Sequence, residues 1–259
     1  MGINRRLKRF FAADGKTVLV PLDHGVYEGL LPGLEDMPTL IGHIVSAGAR
    51  GVVLHKGLAR ACLPFLPPEL GLIVHLSAGT RHGLPSYSRT LVCSVAEALR
   101  LGADAVSVHV NIGNDMEERM LSDLGVITEE AHLYGLPVLA MIYARGGQIV
   151  NEADSSLVTH CIRLGVELGA DMIKVAYSGD AEGFARAVQS APVPVILAGG
   201  SKSADFESFQ DLLREGLTAG ARGVSLGRNI FQHSDPALAL KQIVSLVHGE
   251  KNRRSRQVL

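Results

Sequence analysis

LGADMIKV, residues 168–175, closes a helix-like stretch and opens a buried strand, and three other segments echo it. They are AGARGVVL (47–54), LGADAVSV (101–108) and AGARGVSL (219–226), each reading glycine, alanine, arginine or aspartate, then an apolar run. The glycine suits the left-handed position that ends a helix. A junction of this kind, used four times, marks repeated β/α units. Outward from these anchors, eight short apolar runs alternate with helix-length stretches: TVLVPLDHG, GVVLHKG, GLIVHLSAG, AVSVHVNIG, PVLAMIYARG, MIKVAYSG, PVPVILAGG and GVSLGRNIF. Several are almost continuously apolar, as parallel strands covered on both faces are. The four echoes precede the second, fourth, sixth and eighth runs. Amphipathic stretches at 37–48, 115–134, 154–169, 205–219 and 235–248 supply helices; 76–93 is less regular, and its helix is expected only near Ser94. Eight units with a two-unit echo predict a closed (β/α)8 TIM barrel, a single domain over 1–259 with its core at about 16–248. An open parallel sheet is the runner-up.

Composition narrows the function classes. The 259 residues carry 25 basic and 26 acidic side chains, a formal net charge of −1, so no global field draws nucleic acid or an anionic membrane. No run approaches the ~18 uninterrupted apolar residues of a membrane span. Cys62, Cys93 and Cys161 show no disulfide or zinc spacing, which points to a reducing, cytoplasmic setting. The tail KNRRSRQVL reads as a short solvated end.

In such barrels the active site lies at the C-terminal strand ends, and there each run turns polar. The ends carry Asp23-His24-Gly25, His55-Lys56-Gly57, His75 and Ser77, His109 and Asn111, Tyr143 and Arg145, Lys174 with Tyr177 and Ser178, Gly199-Gly200-Ser201-Lys202, and Gly227-Arg228-Asn229. Lys174 is the sharpest of these. Apolar surroundings disfavour the charged form of an amine, and a neutral amine attacks carbonyls to form a Schiff base; the plainer alternative is a lysine paired with a carboxylate. Lys56 has almost the same sequence environment and is the rival nucleophile. Asp23 and Tyr143 suit proton transfer, against a turn cap and a packing residue as the plain alternatives. Gly200, Ser201, Lys202, Gly227 and Arg228 form a candidate phosphate cradle in the loops after the last two strands. Four histidines, His24, His55, His75 and His109, could ligate a metal, but no metal-binding spacing joins them, so neighbour-satisfied interior histidines are expected.

Together VPLDHG, VVLHKG, HLSAGT, GADAVSVHVNIG, MIYARG, GADMIKVAYSGD, AGGSK and GVSLGRNIFQH resemble the archaeal-type class I fructose-bisphosphate aldolase family over about residues 16–248. The resemblance implies a TIM barrel, an imine on Lys174 with no metal or cofactor, proton transfer by Asp23 and Tyr143, and phosphate binding by Gly200, Ser201, Lys202, Gly227 and Arg228. It also implies a homo-oligomer, often a decameric ring. Within the family, Glu28 stands where fructose-bisphosphate aldolases typically carry a histidine, and the chain has no tryptophan. The 2-amino-3,7-dideoxy-D-threo-hept-6-ulosonate synthases lack both that histidine and the tryptophan, and HIVSAGARGVVLHKGLAR through MIYARG looks most like them, whereas Glu28 departs from the small polar residue expected in that branch. That branch implies an aldolase/transaldolase joining a unit from a phosphorylated ketose to an aldehyde acceptor, aspartate semialdehyde, in aromatic-compound biosynthesis. Alternatives are a fructose-bisphosphate aldolase, a metal-dependent barrel aldolase and a non-catalytic phosphosugar binder.

Overall fold

The computed structural model describes residues 2–249, so the basic tail lies outside the described residues. Ten strands form: β1 (Thr17–Pro21), β2 (Gly51–His55), β3 (Gly71–His75), β4 (Ser77–Ala78), β5 (Thr90–Leu91), β6 (Ala105–Ile112), β7 (Val138–Ala144), β8 (Met172–Val175), β9 (Val195–Ala198) and β10 (Gly223–Ser225). Eight of them close a parallel barrel in the order β1-β10-β9-β8-β7-β6-β3-β2, as the eight apolar runs predict. The pair β4–β5 is a separate antiparallel hairpin inside the irregular stretch at 76–93.

The helices are α1 (Gly2–Phe10), α2 (Gly25–Glu28), α3 (Met37–Ala47), α4 (Lys56–Cys62), α5 (Val95–Arg100), α6 (Glu117–Leu133), α7 (Ser155–Glu167), α8 (Ala181–Ser190), α9 (Phe206–Thr218), α10 (Arg228–Phe231) and α11 (Pro236–His248). Their starts follow from capping side chains. Asp36 Oδ1 accepts from Thr39 N, Ser94 Oγ from Glu97 N, and Asp154, Asp180, Asp205 and Asp235 do the same for α7, α8, α9 and α11.

The helix ends explain the four echoes. Gly48, Gly102, Gly169 and Gly220 take φ of +87°, +80°, +81° and +112°. The following alanine then donates to the carbonyl five residues back: Ala49 to Ile44, Ala103 to Ala98, Ala170 to Gly165 and Ala221 to Gly216, at 3.0–3.2 Å. This is the six-to-one bond of a Schellman end. It turns the chain into the next strand the same way each time. In two copies the next residue ties the barrel floor. Asp104 Oδ2 accepts from Leu72 N, and Asp171 Oδ2 accepts from Val138 N.

Alternation along the strands splits the core in two. Ile173 and Val175 pack outward in the large layer between barrel and helices. Met172 faces the lumen with Leu19, Val53, Ile73, Ala105, Leu139, Met141 and Ile196. Phe10, at the end of α1, is fully buried and joins this inner cluster. Its ring fits the floor because β2 and β3 begin with glycine. A Cβ on Gly71 would lie 2.4 Å from the Phe10 ring, and one on Gly51 3.0 Å.

Candidate active site

The apolar lumen gives way to polar side chains one strand-repeat higher. Because lumen-facing residues recur every second position, Val53 is followed by His55, Ile73 by His75, Ala105 by Ser107 and His109, Met141 by Tyr143, and Met172 by Lys174. These upper residues open into a cavity of about 1170 Å³ at the C-terminal mouth, which His55, His75, His109, Tyr143 and Lys174 line together with Asp23 and His24.

Lys174 is 7% exposed. Among the described residues no carboxylate comes within salt-bridge distance of its nitrogen, and it makes no hydrogen bond. Its electrostatic partner is Asp23, which lies beyond salt-bridge distance. Lys56 differs. It starts α4, outside the strand parity that faces the lumen, is 43% exposed at its side chain, and pairs with Glu97 at 3.1 Å. It does not line the cavity. Tyr177, singled out on the same run as Lys174, turns its ring toward the helices, edge-on to Phe184 at 5.2 Å.

Asp23 sits among imidazoles, 3.7 Å from His24 Nδ1 and 3.9 Å from His75 Nε2. Burial works to raise its pKa, but His75, His24, Lys174 and His55 outweigh burial and hold it at about 2. Asp23 thus stays an anion. Burial pushes His75 down to about 3, against the pull of Asp23. Burial likewise carries His109 well below its ordinary value, with Arg89 and Arg145 adding to the effect. His24 and His55 are lowered in the same way. The interior histidines are partly satisfied by neighbours: His75 Nδ1 lies 2.7 Å from Ser107 Oγ, and His109 Nε2 lies 2.9 Å from Asn111 Oδ1. Asp23, His55 and His75 nevertheless present ligand atoms within 4.8 Å of one another, a spacing that could hold a metal ion.

Tyr143 lies between His109, with ring centroids 5.0 Å apart, and the Arg145 guanidinium, 4.6 Å above its ring. These contacts fix the ring while its hydroxyl makes no hydrogen bond among the described residues.

Of the five residues expected to cradle phosphate, Gly200, Ser201, Gly227 and Arg228 line the cavity. Lys202 is exposed and does not; Ser203 takes a place there instead. Gly227 is required by close packing, since a Cβ there would lie 2.3 Å from His24 Cε1. Asn229, marked at the eighth run end but given no role, knits the two loops together. Its Nδ2 donates to Gly199 O (2.9 Å) and Ser201 O (3.0 Å), and its Oδ1 accepts from Ser203 N (2.8 Å). Arg228 donates to Gly200 O at 3.1 Å and pairs with Glu28 at 3.3 Å. The amides of Gly200, Ser201, Gly227 and Arg228 have no acceptor among the described residues and remain available to an anion.

Residues 17–233 match the family model for DeoC/LacD family aldolases. The chain belongs to this aldolase family. Its relatives include the 2-amino-4,5-dihydroxy-6-oxo-7-(phosphonooxy)heptanoate synthase of Streptomyces griseus, 38% identical over 249 residues, with 96% of this chain and 91% of the relative covered. They also include the 2-amino-3,7-dideoxy-D-threo-hept-6-ulosonate synthase of Halobacterium salinarum, 40% identical over 249 residues, with 96% and 92% covered. Among solved structures, an archaeal fructose-1,6-bisphosphate aldolase with its catalytic lysine covalently bound to the carbinolamine intermediate superposes with a TM-score of 0.85 at 32% identity, covering 95% of this chain and all of that one. The motif resemblance is borne out, and the barrel is that of a lysine-imine aldolase.

Proposed function

We propose that this aldolase joins dihydroxyacetone phosphate, or a ketose phosphate that delivers an equivalent ketone unit, to aspartate semialdehyde through an imine on Lys174. The observation that carries this is the placement of Lys174. Its amine is buried, has no carboxylate within salt-bridge distance among the described residues, and shares a cavity with an ionised aspartate and anion-ready backbone amides. The names of the relatives fix the carbon skeleton. Both products are seven-carbon chains with a carboxylate at C1, an amine at C2 and a ketone at C6. The hydroxyl at C4 is β to the ketone, so the aldol bond is C4–C5. Breaking it yields a three-carbon ketone and the four-carbon aldehyde of an amino acid. The two names differ at C7, phosphorylated in one and deoxy in the other. The loops after β9 and β10 favour the phosphorylated form.

In the proposed sequence the Lys174 amine adds to the ketone carbon, and loss of water leaves an iminium ion. Asp23, held as an anion, stabilises that positive charge. Asp23 takes a proton from the carbon next to the iminium, giving an enamine, and that proton returns to Tyr143 through water at the end of the cycle. The enamine attacks the aldehyde carbon, and the Tyr143 hydroxyl delivers the proton to the new alkoxide. Hydrolysis of the imine then frees the product and the amine. The three buried free thiols fit a reducing, cytoplasmic setting, and a homo-oligomeric assembly belongs to the same reading.

The test is product formation. Dihydroxyacetone phosphate and aspartate semialdehyde should give a seven-carbon phosphorylated amino ketone faster than fructose 1,6-bisphosphate is cleaved. The reverse ranking would make the protein a fructose-bisphosphate aldolase. A second reading draws on the Asp23, His55 and His75 cluster, where a divalent ion could polarise the ketone. Full activity after chelation supports the imine route; loss of activity restored by zinc supports the metal.

A further inference from the structure

Across the mouth from the phosphate loops lies a cation that the steps above leave unused. In the barrel order, β3 and β6 stand opposite β9 and β10, and the hairpin β4–β5 is inserted between β3 and β6. Arg89, one residue before β5, lines the same cavity as Lys174 and is 7% exposed. Its Nη1 donates to Ser86 O at 2.9 Å and Ser88 O at 2.7 Å, and its guanidinium lies 4.7 Å above the Tyr27 ring. Gly79, just after β4, makes room, since a Cβ there would lie 2.3 Å from Ser88 O and 3.0 Å from Arg89 Nη1.

What sets Arg89 apart among the described arginines is burial without a carboxylate at salt-bridge distance. Arg9, Arg145, Arg163, Arg186, Arg214 and Arg228 each pair with a carboxylate. Arg89 has none within salt-bridge distance among the described residues, although it is far more buried than most of them. A buried cation is costly unless paired, and Asp23 and the Tyr27 side chain favour this one without a salt bridge. Burial, with Arg145 nearby, pushes its pKa down. A guanidinium fork matches a carboxylate in two parallel hydrogen bonds.

We propose that Arg89 binds the carboxylate of the acceptor aldehyde and so selects a carboxylate-bearing acceptor. The inference rests on the function proposed above. With C6 of the product at Lys174 and C7 toward the β9 and β10 loops, the C1 carboxylate points away from those loops, to the wall that carries Arg89. The phosphate end and the carboxylate end then meet separate cationic groups on opposite sides of the reacting carbons.

The test is a ratio. With dihydroxyacetone phosphate as donor, kcat/KM is measured for aspartate semialdehyde, for uncharged butanal and for glyceraldehyde 3-phosphate, in the wild type, Arg89→Met and Arg89→Lys. Losing a charge-assisted hydrogen bond of ordinary strength should lower the aspartate semialdehyde to butanal ratio about 10- to 100-fold in Arg89→Met. Arg89→Lys keeps the charge but not the fork and should fall less. A purely structural role for Arg89 would depress all three aldehydes together and leave the ratio unchanged, which overturns the proposal. A selective loss for glyceraldehyde 3-phosphate alone overturns it in favour of a phosphate subsite. Borohydride trapping of the donor separates the two failures. No adduct in the wild type sinks the proposed function and this inference with it, whereas an adduct with an unchanged ratio sinks this inference only.

Discussion

Tyr143 and Lys174 show how much of the chemistry depends on which way a single side chain turns. Tyr143 is clamped between His109 and Arg145 with its hydroxyl left for a substrate. Tyr143→Phe should therefore still form the donor imine, while turnover with the acceptor drops about 10²- to 10⁴-fold, the usual span for loss of a positioned acid. Turnover within a few-fold of wild type would remove Tyr143 from proton transfer. Lys174 was legible in the sequence because a charge interrupts an apolar strand. Lys56 was equally legible but faces elsewhere. Both runs are apolar throughout, so alternation does not reveal which parity faces the lumen. The fold sets that phase. Lys174 shares a face with Met172, whereas Lys56 follows His55 by one residue and turns out to Glu97. Arg89 gave no comparable signal, since it lies in a stretch with no period to read.

At the scale of elements, what was legible was local. The glycine-alanine junctions act within one helix end, through a left-handed residue and a bond spanning five positions, so their sequence is enough. Capping aspartates likewise act over two or three residues. Contacts between distant segments were not legible. Phe10 closes the barrel floor because glycines 41 and 61 residues later leave a gap for the ring. Asn229 falls in a run end that sequence reading did mark. Its task, holding Gly199, Ser201 and Ser203, depends on the seventh and eighth strands lying side by side. Lys202 shows the converse. It is adjacent in sequence to the right loop but turned to solvent.

For the whole molecule, the polar mouth makes stability depend on pH. His75 is held at about 3 and His109 well below its ordinary value, both chiefly by burial. An unfolded histidine titrates near 6.5. Below that pH the unfolded chain binds protons that the folded chain refuses, so stability falls as pH drops from about 6.5 toward 3. The expected slope is about 1.4 kcal/mol per pH unit for each such histidine. Asp23 has the same sign at lower pH. Its folded value of about 2 lies below the unfolded one of 3.8, and its contribution is lost as pH falls through that window. Urea midpoints measured from pH 7 to pH 5 should decline, and more shallowly in His75→Gln. A flat profile would mean that the mouth takes up protons as readily folded as unfolded.

The account stands on the Lys174 amine reaching a ketone carbon. Incubation with dihydroxyacetone phosphate, reduction with borohydride and peptide mass mapping reads this directly. The reduced donor should appear on the peptide carrying Lys174, and Lys174→Met should carry none. An adduct on Lys56, or none anywhere in a folded wild-type protein, would contradict it.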